Sequence, residues 1–252
     1  MSNLIFNKKT IDLTAVFWYN NYTVKLLHEM YLLIYSERGC YTVKRFVVTI
    51  GRTCGSGGST VAKLVAKKLG VSYYDKSVLS LGSEDGSIHQ GLFEGDHEED
   101  SLLKKVSADV FKGLEDQSPI PPESYDFTVN ERLFDYQSKV LAALAGEESY
   151  VIVGRGADHV LKNVPDINLF NVFITAPADV CTYKEAGRLC MSSKAAAAHV
   201  YKFNHYRDEY YRFFTGHERN DLNNYELCLN THYLNYEDCA DIIIKALEHF
   251  LA

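Results

Sequence analysis

Residues 46–60 read FVVTIGRTCGSGGST, and this stretch constrains the fold more than any other. The apolar and β-branched run VVTI predicts a short buried strand. Four glycines then fall within eight positions: Gly51, Gly55, Gly57 and Gly58. The segment that follows, STVAKLVAKKL, puts Val61, Leu64, Val65 and Leu69 on one helical face and lysines on the other. Glycine reaches backbone conformations closed to other residues. The amides of Gly55, Ser56, Gly57 and Gly58 can therefore turn inward as an anion nest before the positive end of the helix. Ser59 or Thr60 can cap that helix, and can also reach a phosphate or a magnesium ion. A bare strand-to-helix turn is the plainer alternative, but four glycines exceed what such a turn needs.

The full phosphate-loop pattern G-x-x-x-x-G-K-[ST] fails here in every register. With Gly57 as the last glycine, Gly58 stands in the lysine position and Arg52 in that of the first glycine. Arg52 leaves the strand just before the loop and offers a bidentate fork to phosphate, so it is the expected substitute cation. Lys63 and Lys76 are the further candidates.

The remaining chain alternates strands and helices. VSYYD, SYVIVG, NLFNVFITAP and YELCLN predict four more strands. VNERLFDYQSKVLAALA, residues 178–190, residues 194–214 and YEDCADIIIKALEHFL carry helical periodicity. Residues 101–116 form another expected helix, stopped by the prolines of SPIPPES. The fold class is thus α/β, with an open five-stranded parallel sheet flanked by helices and right-handed crossovers. Ligands of such sheets sit at the carboxyl ends of the strands. That rule brings the glycine turn, the GRGAD segment after VIV and the residues after VFIT to one edge.

The charge balance of −7 argues against unaided binding to a nucleic-acid backbone, which needs a basic surface. The six cysteines include no C-x-x-C pair, so reduced thiols without a metal centre are expected. The apolar stretch LTAVFWYNNYTV is too short and polar to span a bilayer, and a cytoplasmic location is the default expectation. Residues 1–44 are read as an N-terminal extension. The acidic run EGDHEED at 94–100, with His97, reads as a solvated loop.

Taken together, FVVTIGRTCGSGGSTVAKLVAKKLGVSYYDKSVL, ERLFDYQSKVLAALA, VIVGRGADHVL, NVFITAP, YYRFFTG and NYELCLNT resemble, in order and spacing, the cytidylate kinase-like proteins. These are a branch of the nucleoside monophosphate kinases. The likeness covers about residues 45–250, and it makes a glycine at position 58 a trait of that branch. It implies a five-stranded parallel sheet, an acceptor-binding insertion at about 82–130 and a helical lid at about 184–222. It also implies γ-phosphoryl transfer from ATP, with magnesium, to CMP or a related pyrimidine nucleotide. By the same resemblance, Arg155 and Asp158 bind the acceptor, Asp75 binds acceptor or magnesium, and Arg207 closes over the transferring phosphate. Arg212 and Arg219 are the next lid candidates. Plainer roles compete: a helix cap for Asp75, a local ion pair for Arg155 and Asp158, and surface charge for Arg207 and Asp208. Tyr206, Tyr210 and Phe213 read as a packing stripe. Cys181 and Lys184 stand where the family usually has arginines. A nucleotide-binding regulatory module of weak or absent activity is therefore the alternative.

Overall fold

The computed structural model describes residues 45–75, 101–112 and 131–252. The expected extension at 1–44, Lys76, the acidic run at 94–100 and most of the expected insertion lie outside the described residues. The described elements are β1 (Arg45–Arg52), α1 (Gly58–Leu69), β2 (Ser72–Tyr74), α2 (Ser101–Lys112), α3 (Glu131–Glu147) and β3 (Tyr150–Val153). They continue with the helical turn α4 (Ala157–Val160), β4 (Ile167–Thr175), α5 (Ala178–Leu189), α6 (Ser193–Thr215), β5 (Leu227–Asn230) and α7 (Tyr236–Leu251).

The five strands form one sheet in the order β2-β3-β1-β4-β5, and every pairing is parallel. β1 is therefore central. It pairs along its full length with β4, from Arg45 against Ile167 to Arg52 against Ile174, and Ile50 pairs with Val153 of β3 on its other side. Side chains alternate across the pleat. Val48 and Ile50 pack with Val61 and Val65 of α1 and Ile243 and Leu247 of α7. Val47 points the other way, into a core with Val140 and Leu144 of α3, Leu103 of α2 and Tyr150. Each such aliphatic side chain contributes about 1.5–3 kcal/mol on burial, so β1 is held from both faces.

Sequence stops α1 sharply. Gly70 takes the left-handed conformation at φ 66° and its amide satisfies the carbonyls of Ala66 and Lys67. The crossover then returns the chain to β2 at the sheet edge. All five strands run the same way, so the segments after β1, β3 and β4 emerge along one edge.

Candidate active site

The segment between β1 and α1 is a tight loop in which Gly55 and Gly57 hold φ 80° and 82°. Gly57 is itself the helix N-cap and no side chain caps α1. This corrects the expectation that Ser59 or Thr60 fills that role. Both lie inside the first turn, exposed. The first i→i−4 bond of α1 runs from Val61 N to Gly57 O at 3.0 Å, which leaves the preceding amides of the turn without that partner. Ser56 is also turned away from any ligand. It is fully buried, its hydroxyl donates to the Thr53 carbonyl at 2.9 Å, and its own carbonyl accepts from Thr231 at 2.7 Å. Ser56 therefore shapes the loop from within.

Arg52 fills the space that a side chain at position 58 would need. A Cβ on Gly58 would stand 2.5 Å from the Arg52 Cβ, and one on Gly154 would stand 2.4 Å from its Nη1. The arginine thus threads between two glycine backbones into the strand-end cleft. Its Nε is buried and meets no hydrogen-bond partner. Burial, and then the charge of Arg207, pull its pKa well below the usual guanidinium range, with Arg155 and Arg219 adding to the effect. Lys63, the other described candidate, lies over the Tyr73 ring at 5.5 Å and is not part of the cleft lining.

After β3 the chain makes a left-handed arc. Gly154, Arg155 and Gly156 all have positive φ, at 76°, 65° and 62°. For arginine this costs roughly 1–2 kcal/mol. Gly154 N donates to Ile50 O at 3.1 Å, which ties the arc to the central strand. Asp158 follows in α4 and accepts from the Tyr211 hydroxyl of α6 at 2.5 Å. Burial raises its pKa, and the Tyr211 bond opposes that rise. Asp75 ends β2 on the same cleft and accepts from the Tyr73 hydroxyl at 3.1 Å.

α5 and α6 close the cleft from above. Asn204 accepts from the Cys54 amide at 2.8 Å, and Cys54, Cys181 and Val200 form a small apolar cluster under the loop. Arg207 faces inward with a buried Nη1 that meets no partner, so it is not the surface charge its sequence context allows. Burial lowers its pKa. Asp208 is not free surface charge either, since it pairs with Arg219 at 2.7 Å. Arg219 is buried, and its Nη1 donates to the Arg52 carbonyl at 2.8 Å. It joins the segment after α6 to the end of β1. Arg212 is a correction: it pairs with Glu209 and Glu218, both at 2.7 Å, on the outer face and does not line the cleft. The stripe of Tyr206, Tyr210 and Phe213 also divides. Tyr210 packs on Phe134 and Phe214, while Phe213 is 56% exposed.

The result is a cavity of about 800 Å³ whose lining includes the glycine loop, Arg52, Arg155 and Arg207. The buried Arg52 Nε and Arg207 Nη1 meet no hydrogen-bond partner there, which is costly for a cation. An anion with several oxygens would complete the arrangement, and a phosphate ester has the shape to meet both amides and forks. Cys181 and Lys184, where the resemblance implies arginines, sit beneath the loop and over the Tyr236 ring at 5.0 Å respectively. The contributions of Asn204, Tyr211 and Tyr236 have no signal in the sequence, since each depends on how α6 and α7 pack.

Among known proteins, the profile of the cytidylate kinase-like family matches residues 47–233. A cytidylate kinase of Sulfolobus acidocaldarius is 25% identical over 194 residues, spanning 77% of this chain and 89% of that relative. A crystal structure of an uncharacterised protein from Eubacterium ventriosum superposes with a TM-score of 0.58 at 23% identity, covering 81% of this chain and 99% of the other. That likeness shows a shared fold. No helix among the described residues is long and apolar enough to cross a membrane.

Proposed function

The chain belongs to the cytidylate kinase-like family, and from that premise we propose that it is an ATP-dependent kinase that phosphorylates CMP or a related pyrimidine monophosphate. One observation carries the reading: the buried, unpartnered nitrogens of Arg52 and Arg207 share one cavity with the open amides of the glycine loop. The carboxylates of Glu185 and Asp208 act on Arg207 through space, but neither accepts a hydrogen bond from its buried Nη1.

In this mechanism the amides of Gly55 and of Gly57 to Thr60 hold the donor β-phosphate. Arg52 takes the place of the lysine, reaching the bridging region from the central strand. Arg155, with Asp75 and Asp158, holds the acceptor nucleotide at the opposite wall. An oxygen of the acceptor phosphate attacks the γ-phosphorus, the bond to the β-bridging oxygen breaks, and ADP leaves. The loose, in-line transition state spreads charge over the equatorial oxygens, where Arg207 stabilises it as the lid excludes water. The hydroxyls of Ser59 and Thr60 and the carboxylate of Asp75 are hard oxygen donors on the cleft, a set that suits magnesium, which would neutralise the β- and γ-oxygens.

A second reading rests on Cys181 and Lys184, where arginines are expected. Loss of a transition-state cation costs roughly 10²–10⁵ in rate, which would leave a nucleotide-binding regulator. A coupled assay of ADP release with ATP, magnesium and each common monophosphate separates the two. Turnover with a pyrimidine monophosphate, abolished by Arg155→Ala, supports the kinase. Saturable ATP binding with no turnover on any acceptor supports the regulator.

A further inference from the structure

We propose that Cys54, Glu185 and His199 form a binding site for a borderline-soft divalent cation, zinc(II) above all, which fastens the lid helices to the glycine loop. The thiol sulfur, a carboxylate oxygen and an imidazole nitrogen lie within 4.8 Å of one another. His199 Nε2 is 3.6 Å from Glu185 Oε2. Two ligands about 2.0–2.1 Å from one tetrahedral ion stand at nearly that separation. The third needs a movement of about 1 Å at most to reach Zn–S distance.

The three residues come from three separate elements, the loop, α5 and α6. Each is already held in place. Cys54 is anchored through its amide to Asn204, at 2.8 Å. Glu185 is buried and gripped by Arg188, whose Nε lies 3.2 Å from both carboxylate oxygens. His199 packs on the Phe203 ring, with centroids 4.2 Å apart. Outer-shell bonds of this kind orient metal ligands and tune their strength. Thiolate with imidazole favours zinc and related metals over magnesium or calcium. A set of three protein ligands leaves a fourth position, and all three residues line the cavity, so that position is open to water or to a bound phosphate oxygen.

Binding balances simply. The Cys54 thiol gives its proton to solvent as the sulfur–metal bond forms. Thiolate and carboxylate then cancel the double charge of the ion; two positive charges enter and one proton leaves, so the site gains one positive charge beside Arg207. The site stands independently of phosphoryl transfer, because the ligands are structural neighbours whatever the cleft binds.

The test uses the full chain, stripped with a chelator and titrated first with cobalt(II), then with zinc(II). The expected result is one equivalent of cobalt with tetrahedral visible bands and a thiolate charge-transfer band, both lost on adding zinc. Cys54→Ser and His199→Ala should lose the charge-transfer band and the tetrahedral signature respectively, while a Cys190→Ser/Cys228→Ser double variant keeps both. X-ray absorption of the unmutated zinc-loaded protein gives a second readout that does not depend on variants folding: one sulfur and two or more light ligands are expected. Absence of these bands in the folded protein, their survival in Cys54→Ser, their loss in the double variant, or a zinc shell without sulfur would each overturn the proposal.

Discussion

The Arg52 Nη1 lies 2.4 Å from where a Cβ on Gly154 would stand, so the end of β1 and the turn after β3 share a single packing event. Glycine at 154 is favoured by its φ of 76°, and a side chain there would displace the end of the arginine. The same arginine excludes a side chain at position 58. The absent lysine and the arginine six residues before it are therefore one structural choice.

Writing the ordinary lysine into the loop should fail for that reason. Gly58→Lys meets the Arg52 Cβ at 2.5 Å and is expected to lose about 100-fold or more in kcat/KM, the scale of a lost transition-state contact. Arg52→Gly removes that obstacle, so the double variant Arg52→Gly/Gly58→Lys should recover part of the loss. Steady-state kinetics of the three proteins decides the matter. A Gly58→Lys enzyme as fast as the parent would show that the two residues do not compete.

Two arginines five residues apart on α6 should behave oppositely. Arg207→Met is expected to lower kcat by about 10²–10³. Arg212→Ala, which removes an exposed pair with Glu209 and Glu218, should leave kcat within about twofold and the unfolding midpoint essentially unchanged. Equal losses in both variants would refute this assignment of the inward face.

Arg155→Gly should raise stability and remove activity together. It relieves a left-handed backbone that costs roughly 1–2 kcal/mol for arginine, offset in part by the greater freedom of glycine in the unfolded chain. A net gain of about 0.5–1 kcal/mol should appear in urea unfolding, with acceptor KM raised at least tenfold. A destabilised variant would mean that the arginine side chain contributes more to the fold than its conformation costs.

Asp158 gives the protein a pH signature. Burial raises its folded-state pKa, so the folded protein holds the proton more tightly than the unfolded chain. Stability from this group is complete below the unfolded value, about pH 4, and is lost as pH rises through the raised folded value. Asp158→Asn cannot titrate, so the difference in unfolding free energy, parent minus variant, should fall with pH across that window by up to about 1.4 kcal/mol per unit. A flat difference between pH 4 and 7 would exclude a raised pKa.

Much of this architecture was readable from residue pattern alone. The glycine rhythm of 51–58, the valines of α1 and the apolar runs of β3 and β4 each carry local information that packing did not override. The site was less readable, and particular residues show why. Arg207 and Arg212 differ by about 140° around the helix, but which side faces the cleft depends on how α6 lies over the loop. Ser56 is locked within the loop partly by a local bond to Thr53, but also by Thr231, 175 residues away, which only the fold brings to its carbonyl. The cap on α1 was misread because glycine itself, in a left-handed turn, occupies Gly57. Cys54, Glu185 and His199 are separated by more than a hundred residues in the first gap, so no motif could connect them.

A lysine at position 58 would ride on a helix and could withdraw with it. Arg52 is rooted in the central strand, which is packed on both faces, and so stays with the sheet. The cleft therefore keeps that cation in place whatever the helices above it do, and freshly isolated protein should come off a column still carrying phosphate, sulfate or a nucleotide.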